Sequence, residues 1–297
     1  MKKYLISAMV IATCMAAAGS IQAQDATGKG YARVNGIKMY YEISGTGEPL
    51  LLLHGGLGSM GMFERIMPAI NAGRQVIAVD LYGHGRTALT DRPVSYIDMA
   101  DDLAALLRQL GIKQVDVLGY SMGGIAGLRL AIQHPGLVRR LALVSTVFAR
   151  DGFYPDILAQ QEQMNAGAAA LLKQTPIYKS YAAIAPQPED FPKLLEQMGQ
   201  MMKRPFDWSA EVARLEMPVM LVYGDGDMIR PAHIVKFYEL LGGGKKDAGW
   251  NRENMPQNRL AILPNHTHYD MLMAPELPQT VRPFLDGKMQ ARPELEH

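Results

Sequence analysis

Short, largely apolar runs at residues 50–53, 76–79, 115–118, 141–144 and 219–223 are separated by stretches in which apolar positions return every three or four residues, as over 96–110, 125–133 and 232–241. A strand that is apolar on both faces has no solvent side, and a helix between two such strands returns the chain in the same direction. The pattern therefore predicts a parallel sheet held between two layers of helix. Ahead of it, Tyr31-Ala32-Arg33-Val34 and residues 37–43 alternate in polarity around Asn35-Gly36, the pair that best accepts the two positive φ angles of a tight hairpin turn. The chain is thus expected to open with two antiparallel strands, and to close with a short strand at 260–263 and a helix around 275–285.

Two interruptions break this rhythm. Residues 147–213 are rich in Met, Gln and Ala and broken by Pro155, Pro176, Pro186, Pro188, Pro192 and Pro205, which reads as a helical insertion. Residues 242–258 carry three consecutive glycines and two lysines but lack the Ser or Thr after Lys that a phosphate-binding loop requires, and read as a surface loop. The first residues follow a different logic. Lys2 and Lys3 precede an apolar run over 5–18 and a small, polar segment ending at Ala23-Gln24, the three-part layout of a secretory signal peptide. The run is shorter than the roughly 20 residues of a bilayer span. Residues 1–23 are therefore expected to be cleaved on export to the periplasm or beyond, leaving residues 24–297 as one domain. Acylation of Cys14 is disfavoured by Thr13, where a small residue is usual before a lipidated cysteine.

Composition narrows the chemistry. The chain has 297 residues, 48% apolar and 20% charged, which excludes intrinsic disorder and provides for a sizeable core. Thirty Lys and Arg balance 29 Asp and Glu, so nucleic acid is not an expected partner. Cys14 is the one cysteine, and it lies in the segment expected to be removed, so neither a disulfide nor a cysteine-bound zinc is available to the mature chain. No metal or cofactor is called for.

Gly119-Tyr120-Ser121-Met122-Gly123 follows the strand at 115–118 and leads into a helix starting near Ile125. In that setting G-x-S-x-G describes a turn so tight that the serine backbone is strained and its hydroxyl stands exposed. A serine hydroxyl becomes nucleophilic when a histidine takes its proton, and the histidine needs a carboxylate to fix its tautomer. Two acids, Asp225 and Asp227, follow the strand at 219–223, and two histidines, His266 and His268, follow that at 260–263. Asp227 is preferred because Gly224-Asp225-Gly226 completes the bend. His268 is preferred because the strand must end at Pro264 and the loop 265–267 is needed to carry the base to Ser121. For the developing oxyanion, His54-Gly55-Gly56-Leu57-Gly58 supplies a side-chain-free bend after the strand at 50–53. The donors are assigned to the N–H groups of Gly56 and Met122.

These features together resemble the α/β-hydrolase family. The likeness spans nearly all of the expected mature chain, through the opening hairpin, His54-Gly55, the turn from Asp80 to Arg86, the serine turn, Gly224 to Asp227, and Thr267-His268-Tyr269. It implies an eight-stranded, mostly parallel sheet flanked by helices, a helical lid inserted after the sixth strand, and hydrolysis through an acyl-serine. Ser121 stands where the family's epoxide hydrolases and haloalkane dehalogenases carry aspartate. Met122 and Leu57 depart from the Trp and Pro usual in its proline iminopeptidases. The expected substrate is a small-molecule carboxylic ester or lactone, with C–C bond hydrolysis and acyl transfer as alternatives on the same triad.

Rival readings exist for the same residues. Gly56-Leu57-Gly58-Ser59-Met60-Gly61 also matches G-x-G-x-x-G, with Asp80 ending the next strand as a ribose-binding acid would. That reading leaves the serine turn and the paired acid and histidine unexplained. A ligand receptor of the same fold, retaining the triad without turnover, would be told apart by hydrolysis of simple aryl esters. Structural roles are expected for His54 under the oxyanion bend, His84 in the turn after 76–79, His134 at a helix end and His233 at a helix start. Met164, Met198, Met201 and Met202 are adaptable packing that can also line an apolar pocket.

Overall fold

The computed structural model describes residues 27–288; the expected signal peptide lies outside them. Eight strands form one sheet in the order β1-β2-β4-β3-β5-β6-β7-β8. They are β1 (Gly28–Val34), β2 (Ile37–Ser44), β3 (Glu48–Leu53), β4 (Arg74–Val79), β5 (Val115–Tyr120), β6 (Val138–Val144), β7 (Val219–Gly226) and β8 (Arg259–Thr267). β1 and β2 are antiparallel around Asn35 and Gly36, whose φ angles of 45° and 84° are those a tight hairpin needs. β2 meets β4 antiparallel, and every later pairing is parallel. The sheet is therefore mostly parallel, as the apolar runs predicted.

Burial explains the runs residue by residue. Leu51 and Leu53 of β3 face one apolar layer with Ile77, Val117, Leu141 and Leu221, while Leu50 and Leu52 face another with Val76, Leu118, Ala142 and Met220. Because successive side chains point to opposite faces, a strand covered on both sides is apolar at consecutive positions except where a buried polar group finds partners. The helices between strands are α1 (Met67–Asn71), α2 (Tyr96–Gln109) and α3 (Met122–Gln133). After β6 come α4 (Pro155–Gln163), α5 (Ala169–Leu172), α6 (Pro176–Ile184), α7 (Phe191–Lys203) and α8 (Ser209–Val212), so the segment between β6 and β7 is helical. α9 (Pro231–Leu240) separates β7 from β8, and α10 (Glu276–Leu285) ends the described chain. Among the described residues no helix is long and apolar enough to cross a membrane.

One polar residue in the apolar runs proves to be an anchor. Asp116 of β5 is fully buried and accepts from Arg74 at 2.7 Å and from Arg139 at 2.9 and 3.0 Å. This cluster ties β4, β5 and β6 at the end opposite Ser121.

Three boundaries differ from the sequence expectation. α3 begins at Met122 instead of near Ile125, because Gly123 and Gly124 form its first turn despite their poor helix propensity. β7 continues to Gly226, so Asp227 follows the strand directly. β8 does not end at Pro264: Leu263 pairs with Gly224, the ladder skips three residues, and Thr267 pairs with Gly226. A bulge thus replaces the expected loop, with Asn265 at a φ of 63° and Pro264 tolerated because β8 is an edge strand. The loop 242–258 forms no helix or strand, and Asn258 closes it. That side chain donates to Leu241 O and accepts from Val219 N–H at 2.7 Å, which ties the end of the long connection to the end of α9 and the start of β7.

Candidate active site

The turn from β5 into α3 places Ser121 at φ 52° and ψ −121°. For a residue with a Cβ this is a strained conformation, of order 1–3 kcal/mol. Its glycine neighbours are there for want of space. A Cβ on Gly119 would lie 2.7 Å from the Gly123 carbonyl oxygen, and one on Gly123 would lie 2.3 Å from Leu53 O. A Cβ on Gly124 would come within 1.9 Å of Thr146 Oγ1. The turn therefore packs backbone against backbone, and the serine side chain is left above the sheet, half-buried.

His268 and Asp227 meet Ser121 there. Asp227 Oδ1 lies 3.0 Å from His268 Nδ1, and His268 Nε2 lies 2.9 Å from Ser121 Oγ. A carboxylate only accepts, so Nδ1 carries the proton and Nε2 is free to receive one from the hydroxyl. Both partners are buried, at 5% exposure for His268 and 7% for Asp227. The competing residues are placed elsewhere. His266 sits in the β8 bulge facing Asp270 and Glu276, and Asp225 is exposed at the end of β7.

The oxyanion bend approaches the same point. A Cβ on Gly56 would be 3.7 Å from Met122 Sδ, so the two assigned amides belong to adjoining residues across the bend. Met122 is the first residue of α3, and its N–H has no intrahelical acceptor. His54 orients the other amide. Its Nδ1–H donates to Gly55 O at 2.7 Å while its Nε2 accepts from Leu81 N–H at 3.0 Å. Across a trans peptide the Gly56 N–H points opposite to the Gly55 carbonyl, so holding one inward turns the other outward.

Further contacts were not legible beforehand. Ser145, the residue after β6, donates to Asp227 Oδ2 at 2.5 Å. Tyr120 donates its hydroxyl to His268 O at 2.6 Å, and its ring lies beneath Gly55. Both residues are separated from their partners by 82 and 148 positions respectively, and no spacing rule links them. Of the methionines in the insertion, Met198 reaches the site, its methyl 3.0 Å from where a Cβ on Gly56 would be.

The rival use of the glycine bend finds its acid already occupied. Asp80 accepts from Met60 N–H and Arg86 N–H, both at 2.9 Å, and is fully buried. The bend runs into a single 3-10 turn, Met60–Phe63, in place of the helix whose N-terminus would face a pyrophosphate.

A family model described as alpha/beta hydrolase fold matches residues 48–248. The chain belongs to the α/β-hydrolase family. RutD of Azorhizobium caulinodans, named for carbamate hydrolysis, is 28% identical over 233 residues, 73% of this chain and 87% of its own. The pimeloyl-acyl-carrier-protein methyl ester esterase of Nitrosomonas europaea is 25% identical over 260 residues, 80% of this chain and 95% of its own. Among solved structures, carboxylesterase CesB of Bacillus subtilis has a TM-score of 0.67 at 21% identity, covering 89% of this chain and 93% of its own, a likeness of fold.

Within this α/β-hydrolase three other histidines are held neutral. Burial pushes His54 and His233 down to about 4 and His84 down to about 3, the last also through the nearby His54 ring. His233 accepts from Phe148 N–H at 3.2 Å and stacks on the Phe148 ring. Each is harder to protonate when folded than in the unfolded chain, where the value is about 6.5. The unfolded state therefore binds more protons between the two values, and stability that is complete above about pH 6.5 falls as pH drops towards 4. Urea midpoints measured from neutral pH down to pH 4.5 are expected to decrease over that window, and His233→Gln is expected to shallow the slope. An unchanged slope in that variant would contradict the neutral, buried state of His233.

Proposed function

We propose that this protein is a serine hydrolase that cleaves carboxylic esters or lactones bearing small to medium apolar groups, through an acyl-serine at Ser121. The observation that carries this reading is the continuous hydrogen-bonded relay from Ser121 Oγ through His268 to Asp227, built on a serine in a strained turn. His268 Nε2 takes the hydroxyl proton as Oγ attacks the carbonyl carbon, and Asp227 stabilises the imidazolium that forms. The oxygen that becomes anionic is received by the Gly56 and Met122 N–H groups. Collapse expels the alkoxide, which takes the proton from His268. Water, deprotonated by the same imidazole, then attacks the acyl group and regenerates Ser121. The names of the relatives, carbamate hydrolase and methyl ester esterase, refer to bonds that this sequence of steps accommodates.

The apolar preference rests on the lining of the bend. Met198 and Met122 flank Gly56, and Leu57 follows at a φ of 57°. Unbranched thioether side chains adapt to varied apolar shapes without offering a polar partner. In this reading the helical segment between β6 and β7 serves as the lid, and α7 carries Met198 over the acyl site.

Treatment with a fluorophosphonate is expected to place one adduct on Ser121, and Ser121→Ala is expected to lower turnover of p-nitrophenyl esters at least about 10⁴-fold. His268→Ala should fall to the same level, with the double variant little worse, whereas His266→Ala keeps most activity. A dead His266→Ala enzyme beside an active His268→Ala one would reverse the assignment of the base. For the lid, Met198→Ala is expected to change the ratio of kcat/KM between short and long acyl esters by about tenfold without abolishing turnover, in keeping with the small value of a few methylenes. An unchanged chain-length profile would remove Met198 from the acyl site. The protein is further proposed to be exported: N-terminal analysis of material from the native envelope should find a chain beginning near Gln24, and an intact Met1 or a lipid on Cys14 would contradict cleavage at this point.

A further inference from the structure

We propose that Ser145 is a positioning residue for the acid of this site, its hydroxyl holding the Asp227 carboxylate so that Oδ1 faces His268. The inference rests on the acyl-serine reading. Asp227 lies with both oxygens in the interior. Oδ1 accepts from His268 Nδ1–H, and Oδ2 accepts from Ser145 Oγ–H at 2.5 Å. Without that hydroxyl Oδ2 would be a buried anionic oxygen lacking a partner, and the carboxylate could turn about its χ2 torsion to share its two oxygens differently. A carboxylate turned away from Nδ1 would neither fix the imidazole tautomer nor face the developing charge.

The backbone is arranged to deliver this contact. Ser145 has a φ of 53° and is 2% exposed, an uncommon conformation for a residue with a Cβ. Glycine would adopt it at no steric cost. What serine adds at this position is Oγ, and Oγ is spent on Asp227. The conformation is enforced from both sides. Ser145 N–H donates to Val222 O at 2.9 Å, and Tyr223 donates its hydroxyl to the carbonyl of Thr146 at 2.7 Å. Thr146 in turn fills the space that Gly124 leaves at the start of α3. Ser145 thus couples the end of β6 to the acid beyond β7 and, through its neighbour, to the helix that follows Ser121.

The test separates positioning from structural support. Ser145→Gly keeps the backbone conformation and removes the hydroxyl. On p-nitrophenyl acetate, assayed well below the unfolding transition, kcat is expected to fall about tenfold to a hundredfold, the range for losing a hydrogen bond to a charged group, with KM little changed and the unfolding midpoint lowered by the unpartnered Oδ2. In an Asp227→Ala background, where no carboxylate remains to be held, the same change should cost less than about twofold. Parental kcat in Ser145→Gly, or an equal fold loss in both backgrounds, would overturn the proposal. Failure of the acyl-serine reading would be visible separately, in a parent protein that neither turns over esters nor takes the fluorophosphonate on Ser121, and it would take the Ser145 role with it.

Discussion

Ser121 occupies a backbone conformation that an L-residue adopts only under compulsion, and the rest of the site depends on that compulsion. The turn between β5 and α3 has no length to spare, so Gly119 and Gly123 must let the backbones of α3 and β3 come into contact, and Gly124 must make room for the Thr146 side chain. Each of these approaches requires the sheet to be in register. β5 is fixed from below by Asp116 and its arginines, and from the sides by β3 and β6. The strain at Ser121 is therefore held by interactions spread over the centre of the sheet, and the proposed nucleophile points to a place set by strands that contribute no reacting group.

The partners of Ser121 are held with the same economy of freedom. Asp227 and His268 stand at the ends of neighbouring strands, so sheet spacing decides their separation. Each is then secured by a group from the centre of the sheet, Asp227 by Ser145 and the His268 carbonyl by Tyr120. The β8 bulge adjusts the last few ångströms. Three residues on β7, Gly224 to Gly226, oppose five on β8 from Leu263 to Thr267, and the surplus chain is what allows His268 to arrive over Ser121 while His266 is turned towards Asp270 and Glu276.

Buried histidines elsewhere do quieter work. His54 and His84 lie with ring centroids 5.5 Å apart beneath the glycine bend, both kept neutral by burial. A neutral imidazole with one donor and one acceptor nitrogen can satisfy two backbone groups at once, and His54 does so between Gly55 and Leu81. The same chemical group is thus a proton carrier at position 268 in the proposed mechanism and a fixed strut at position 54. The difference lies in whether its second nitrogen meets a hydroxyl at the surface of the site or an amide inside the protein.

Much of this could be read from the chain before any coordinate. Apolar runs of strand length, the Asn35-Gly36 turn and the glycines around Ser121 are local signals, because strand periodicity, positive φ and steric room are properties of a few consecutive residues. They specified the sheet, the hairpin and the serine turn and, by chain order, pointed to the acid and the histidine proposed as its partners. The first turn of α3 was hidden by Gly123 and Gly124, whose helix propensity is poor and whose presence answers to packing against Leu53 and Thr146. The β8 bulge was hidden because Pro264 reads as a strand end when it lies on an edge that needs no donor. Ser145, Tyr120 and Met198 carry no motif at all. Their contacts with Asp227, His268 and Gly56 join residues scores of positions apart. A local pattern can say which residue is reactive, but which groups hold it in place is decided by strands and helices brought together from across the chain, where distance in sequence has no bearing on distance in space.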